Sequence, residues 1–97
     1  MRIIAVKTLR AFWLEYRDAE ATLKAWVAEA EAAQWRGPDD IRQRYRSADF
    51  LAGNRVVFNI RGNRYRLIVK IHYNTGYVFI RFVGTHQAYA RIDAETI

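Results

Sequence analysis

The sequence predicts a two-layer α+β fold, with N-terminal helices packed on an antiparallel sheet and a short helix near the C-terminal end. Three observations carry that prediction. The apolar period is 3.6 before about residue 45 and 2 from residue 55 onward. Two turn signals divide the second region into three strands whose apolar sets fall on one side. The 97 residues are 52% hydrophobic and 27% charged, which suits one core and argues against disorder. No linker or internal repeat divides the chain, so residues 1–97 are read as one domain.

Residues 3–6 form a short β-prone start, too short an apolar stretch for a signal peptide. From Thr8, Leu9, Phe12, Trp13 and Tyr16 follow the spacing i, i+3, i+4, i+7, which is one helical face. A break near Asp18 precedes an Ala/Glu-rich helix to Trp35, with Leu23, Trp26, Val27 and Ala30 on one stripe. Gly37 and Pro38 are expected to close it. Asp39 and Asp40 suit the first turn of a third helix through Tyr45. Residues 55–61, 64–73 and 77–84 alternate as strands. Gly62 and Asn63 make a favoured two-residue hairpin loop, and Asn74-Thr75-Gly76-Tyr77 marks a second turn. Thr85 is positioned to cap a last helix reaching about Asp93.

The first hairpin should pair Ile60 with Tyr65 and Phe58 with Leu67. A turn centred on Thr75 and Gly76 should pair Ile71 with Ile80 and Val69 with Phe82. Val78, Ile80 and Phe82 then share the core side. The opposite face carries Arg55, Asn59 and Arg61, then Arg64, Arg66, Lys70 and His72, then Tyr77, Phe79 and Arg81. It reads as free of acidic residues. Cross-strand rows of Asn59, Arg66 and Thr85, and of Arg55, Lys70 and Arg81, follow from the same registers. Like charges opposite one another destabilise a sheet, so stability alone does not select this face.

Net charge says the same. Thirteen of the sixteen basic residues are Arg. Residues 1–40 hold six basic and seven acidic side chains, for −1, while residues 41–97 hold ten and three, for +7. The excess lies in the sheet half, and a polyanion is the expected partner. No apolar run approaches the roughly 18 residues of a membrane span. The absence of cysteine points to a reducing cytosol and rules out thiolate chemistry.

Candidate chemistry is narrow. A metal-dependent nuclease clusters carboxylates, yet beyond residue 41 only Asp49, Asp93 and Glu95 are acidic, so neither metal nor cofactor is expected. Cleavage of RNA by its own 2′-OH needs guanidinium groups for the phosphorane charge and groups that move protons. Arg66 and Arg81 supply the first. His86 and Tyr89, spaced i, i+3, are candidates for the second. Helix capping for His86 and sheet packing for Tyr89 are the structural alternatives. Arg55, Asn59, Arg61, Asn63, Arg64, Lys70 and His72 are assigned to RNA contact. Phe79 and Tyr77 either stack nucleobases or pack at an edge.

Val57-Phe58-Asn59-Ile60-Arg61-Gly62-Asn63-Arg64-Tyr65-Arg66-Leu67-Ile68 and Phe82-Val83-Gly84-Thr85-His86-Gln87-Ala88-Tyr89 resemble the HigB-type toxins of bacterial type II toxin–antitoxin systems. The resemblance extends to Pro38-Asp39-Asp40 and Ser47-Ala48-Asp49. It implies a RelE-like fold and a cytoplasmic mRNA interferase acting on ribosome-bound message. It also implies neutralisation by a helix-turn-helix antitoxin of the HigA type. Arg66, His86 and Tyr89 are the positions it marks, with Asn59, Asn63, Lys70 and Arg81 in support. Gln87-Ala88 and Arg91 depart from the acidic residues usual there. A non-catalytic RNA-binding module and a gyrase-poisoning toxin of the wider fold are the competing readings.

Overall fold

A computed structural model describes residues 1–97. In chain order the elements are β1 (Arg2–Ile4), α1 (Val6–Glu15), a 3₁₀ turn (Arg17–Ala19), α2 (Glu20–Ala32), α3 (Pro38–Arg44), β2 (Asp49–Leu51), β3 (Arg55–Ile60), β4 (Tyr65–His72), β5 (Tyr77–Thr85) and α4 (His86–Tyr89). One five-stranded sheet has the order β1-β5-β4-β3-β2. The class is α+β as expected, but the sheet is mixed rather than wholly antiparallel. β1 runs parallel to β5, with Ile3 beside Val78. A parallel neighbour needs a crossover, and the helices between the two strands supply it. At three residues each, β1 and β2 are too short to show a period, and β2 had no sequence signal.

The helical stripes become the core. Leu9, Trp13, Leu23, Trp26 and Ala30 are buried against Val56, Phe58, Ile60, Leu67, Val69, Ile71 and Val78. Phe58 meets Tyr45 at 5.0 Å, Trp26 at 5.4 Å and Trp35 at 6.3 Å between ring centroids. Trp35 explains one correction. α2 stops at Ala32 and Ala33 is extended (φ −78°, ψ 156°), so the chain leaves the helix early and carries Trp35 inward. Gly37 and Pro38 therefore open α3 rather than close α2: Gly37 is the N-cap and Pro38 the first helical residue.

The β3–β4 register is the expected one, pairing Ile60 with Tyr65, Phe58 with Leu67 and Asn59 with Arg66. Gly62 (φ +63°) sits in its turn, closed by Arg64 N–H donating to Arg61 O at 3.3 Å.

The β4–β5 register is not the expected one. His72 pairs with Tyr77 across a four-residue loop, so Ile71 faces Val78 and Val69 faces Ile80. Ile68 then faces Phe82, which leaves Arg81 as the extra residue of a bulge. A bulge reverses side-chain parity beyond it. Val83 turns to the core in place of Phe82. The partner of Arg66 is Gly84 rather than Thr85, and that of Lys70 is Phe79 rather than Arg81. The anticipated rows of charge are thereby broken by an aromatic ring and a glycine.

Candidate active site

At the hairpin end of the second sheet face, side chains from β4, the β3–β4 turn and α4 converge. The Arg66 guanidinium donates to Asn63 O and Asn63 Oδ1, both at 3.2 Å, through its two terminal nitrogens. Its carbon lies 5.6 Å from the Tyr89 ring centroid. A guanidinium carries five N–H donors, so two bonds to Asn63 fix the fork and leave donors for an incoming phosphate.

α4 is anchored where the sequence placed its start. Thr85 Oγ1 accepts from Ala88 N–H at 3.0 Å, and His86 N–H donates to Arg64 O at 3.1 Å. The helix ends at Tyr89, short of Asp93. The His86 imidazole is exposed and forms no side-chain hydrogen bond in the fold.

Tyr89 instead leans over the sheet, 6.4 Å from the Phe82 ring. The glycine opposite Arg66 makes that arrangement possible. A Cβ on Gly84 would lie 2.5 Å from the Phe82 ring, so the close approach of that ring needs glycine. Phe82 and Gly84 were missed as site-forming residues. An isolated glycine in a strand is the signal of a bulge or close approach, and it stood in the sequence.

The turn itself is clamped from the helical layer. Asp18 accepts hydrogen bonds from Tyr65 Oη and Arg64 Nη1, and Arg61 Nε lies 3.8 Å away. Two of the assigned RNA contacts, Arg61 and Arg64, are thus engaged by a carboxylate more than forty residues earlier. Hydrogen bonds from Tyr65, then Arg64, hold the Asp18 carboxyl below its usual range, and the same bond raises the Tyr65 phenol. A depressed carboxyl contributes stability that is complete above its unfolded value, about 3.9, and is lost as pH falls through the lower folded value. Asp18→Asn should therefore be less stable than the parent at neutral pH in urea unfolding. The gap should narrow below about pH 4. A gap that stays constant into acid would show that the clamp acts without its charge.

The other candidates are spread along the face. Asn59 Nδ2 donates to Ser47 O at 3.1 Å. Arg55 is half-buried, with Nε donating to Ile97 O at 2.9 Å. Val57 and Ile68 are buried, at 1% and 0% exposure, yet belong to no part of the main core. They lie on the second face in a row with Phe82. Arg81 is exposed in the bulge, three residues along β5 from Gly84. That is about 10 Å at strand spacing, so Arg81 stands apart from the Arg66 cluster. Lys70 and His72 lie farther along β4, beside Phe79 and Tyr77. The face is not free of acid: Asp49 pairs with Val57 and so points to this side at the β2 edge. No three His, Asp or Glu side chains converge anywhere in the fold, and no helix is long and apolar enough to cross a membrane.

A five-stranded mixed sheet with its main helices packed on one face is consistent with a RelE-like fold. The chain belongs to the HigB toxin family, described as the RelE-like toxic component of a toxin–antitoxin system, whose family model matches residues 19–92. That membership gives it an antitoxin as partner. A search of curated proteins finds no match.

Proposed function

We propose that this toxin is an mRNA interferase that cleaves message on the ribosome and is neutralised by a helix-turn-helix antitoxin of the HigA type. The observation that carries this reading is the Arg66 guanidinium, held by Asn63 and lying over the Tyr89 ring at 5.6 Å from its centroid. In the reaction the substrate 2′-oxygen attacks the adjacent phosphorus, and the bond to the 5′-oxygen breaks. Arg66 stabilises the charge that develops on the phosphorane oxygens. Tyr89 and His86 take the 2′-OH proton and return one to the leaving oxygen. Lys70, His72 and Arg81 hold the strand, while Arg55 and Asn59 are engaged by Ile97 O and Ser47 O.

The ends of the cleaved message test this chemistry. After induction of the toxin alone, fragments should carry 5′-hydroxyl and 2′,3′-cyclic phosphate ends, clustered in translated regions. Fragments with 5′-phosphates would assign the cleavage to hydrolysis by another route. Growth arrest with DNA damage and intact message would favour the gyrase-poisoning reading instead.

A further inference from the structure

The end of the second face remote from Arg66 holds two aromatic rings that the proposed reaction does not use. Tyr77 and Phe79 alternate along β5, with ring centroids 6.1 Å apart and planes inclined by 24°. His72 on β4 stands edge-on to Phe79 at 5.0 Å. The Arg2 guanidinium from β1 lies 6.0 Å from the Tyr77 centroid. The sheet register sets these groups in two rows. One contains Arg55, Lys70, Phe79 and Ile4, and the other His72, Tyr77 and Arg2.

Neither Tyr77 nor Phe79 packs on the hydrophobic core, and both remain partly exposed. Ile4 beside them is 39% exposed. The segment following α4 reaches Arg55 on β3, two strands away from the rings on β5. A solvated sheet face is ordinarily polar, so a group of partly exposed rings flanked by cations invites an occupant. Its chemistry selects that occupant. Rings that offer flat faces beside Arg2 and Lys70 suit unpaired nucleobases, with their phosphates drawn to the cations. Asp49 lies at the opposite edge of the sheet, on β2.

We propose that Tyr77 and Phe79, with His72, Arg2 and Lys70 around them, form a nucleobase-stacking subsite for single-stranded RNA, separate from the cleavage centre. The inference rests on the RNA-cleaving reading above. Lys70 is four residues from Arg66 on β4, about 13 Å at strand spacing, so one extended strand can engage both ends of the face. Arg2 and Ile4 lie outside residues 19–92, which the family model matches.

Binding of a fluorescein-labelled 2′-O-methyl oligonucleotide, which lacks the nucleophile, tests the subsite apart from cleavage. The Tyr77→Leu, Phe79→Leu double variant should bind about 5- to 100-fold more weakly, the usual worth of stacking. Its salt dependence should be unchanged, whereas Lys70→Ala should lower the salt slope by about one. Tyr77→Phe should bind as the parent does. Placing abasic positions in the oligonucleotide should weaken the parent by a similar factor and add nothing to the double variant. This arm needs only the parent protein should the double variant unfold.

If the parent binds and cleaves RNA but neither the ring substitutions nor the abasic positions matter, the subsite alone is overturned. If the parent neither binds nor cleaves RNA, the subsite falls together with the proposed function. If the double variant keeps RNA affinity but escapes the antitoxin, the platform belongs to a protein partner and the inference is wrong.

Discussion

Arg66→Ala should abolish toxicity while leaving the melting temperature close to that of the parent. The side chain is half-buried on the second face, outside the main core, so its loss opens no large cavity. Its role in the proposed reaction is charge stabilisation at phosphorus, and removing one such donor slows reactions about 10²–10³-fold. The two Asn63 bonds and the Tyr89 ring orient the fork before substrate arrives, which is what gives the donor that worth. Arg66→Lys keeps the charge but loses the planar fork, and should fall between parent and alanine. Arg81→Ala should do less, because the bulge holds Arg81 away from this cluster. Single-turnover rates on a minimal substrate, read beside growth assays, check the order. Full toxicity in the Arg66→Ala, Arg81→Ala double variant would remove both from the mechanism.

Tyr89→Phe should slow cleavage about 10²–10⁴-fold, the usual contribution of general acid–base catalysis. The substitution keeps the ring beneath the Arg66 guanidinium and deletes only the hydroxyl, so positioning and proton transfer are separated. His86→Ala tests the second proton. Its backbone N–H bond to Arg64 survives the substitution, so helix anchoring is preserved while the imidazole is lost. A comparable loss of rate places His86 on the other side of the reaction from Tyr89. An unchanged rate would reduce His86 to a backbone anchor for α4 and leave Tyr89 and the arginines to carry the chemistry. If Tyr89→Phe is instead as fast as the parent, the ring acts only to hold Arg66.

Features governed by neighbours in sequence were legible in the sequence alone. Gly62 and Asn63 with strict alternation on both sides gave the β3–β4 register residue for residue. Thr85 capped the last helix as its hydroxyl suggested, and the aromatic stripes of the two long helices became the core. The pairing of Arg66 with Asn59 followed from that hairpin alone, whereas its nearness to α4 rested on an Arg66–Thr85 row that the bulge replaces with Arg66 beside Gly84. Short elements gave no such signal. β1 and β2 have three residues each, and their existence depends on partners already in the sheet.

The sequence by itself determined the two layers, the first hairpin, the position of the last helix and the excess of cations on the sheet half. Each is set by periodicity, turn chemistry or charge within a few residues. Only the tertiary structure decided which cations are free to meet a substrate. The Arg81 bulge moved Phe82 across the sheet and placed Gly84 opposite Arg66. Asp18 engaged Arg61 and Arg64 from the helical layer, and Ile97 engaged Arg55. Alternation fixes the side on which a residue lies only until a bulge inserts one extra residue. Ion pairing between distant segments depends on where packing brings them, which no local pattern encodes.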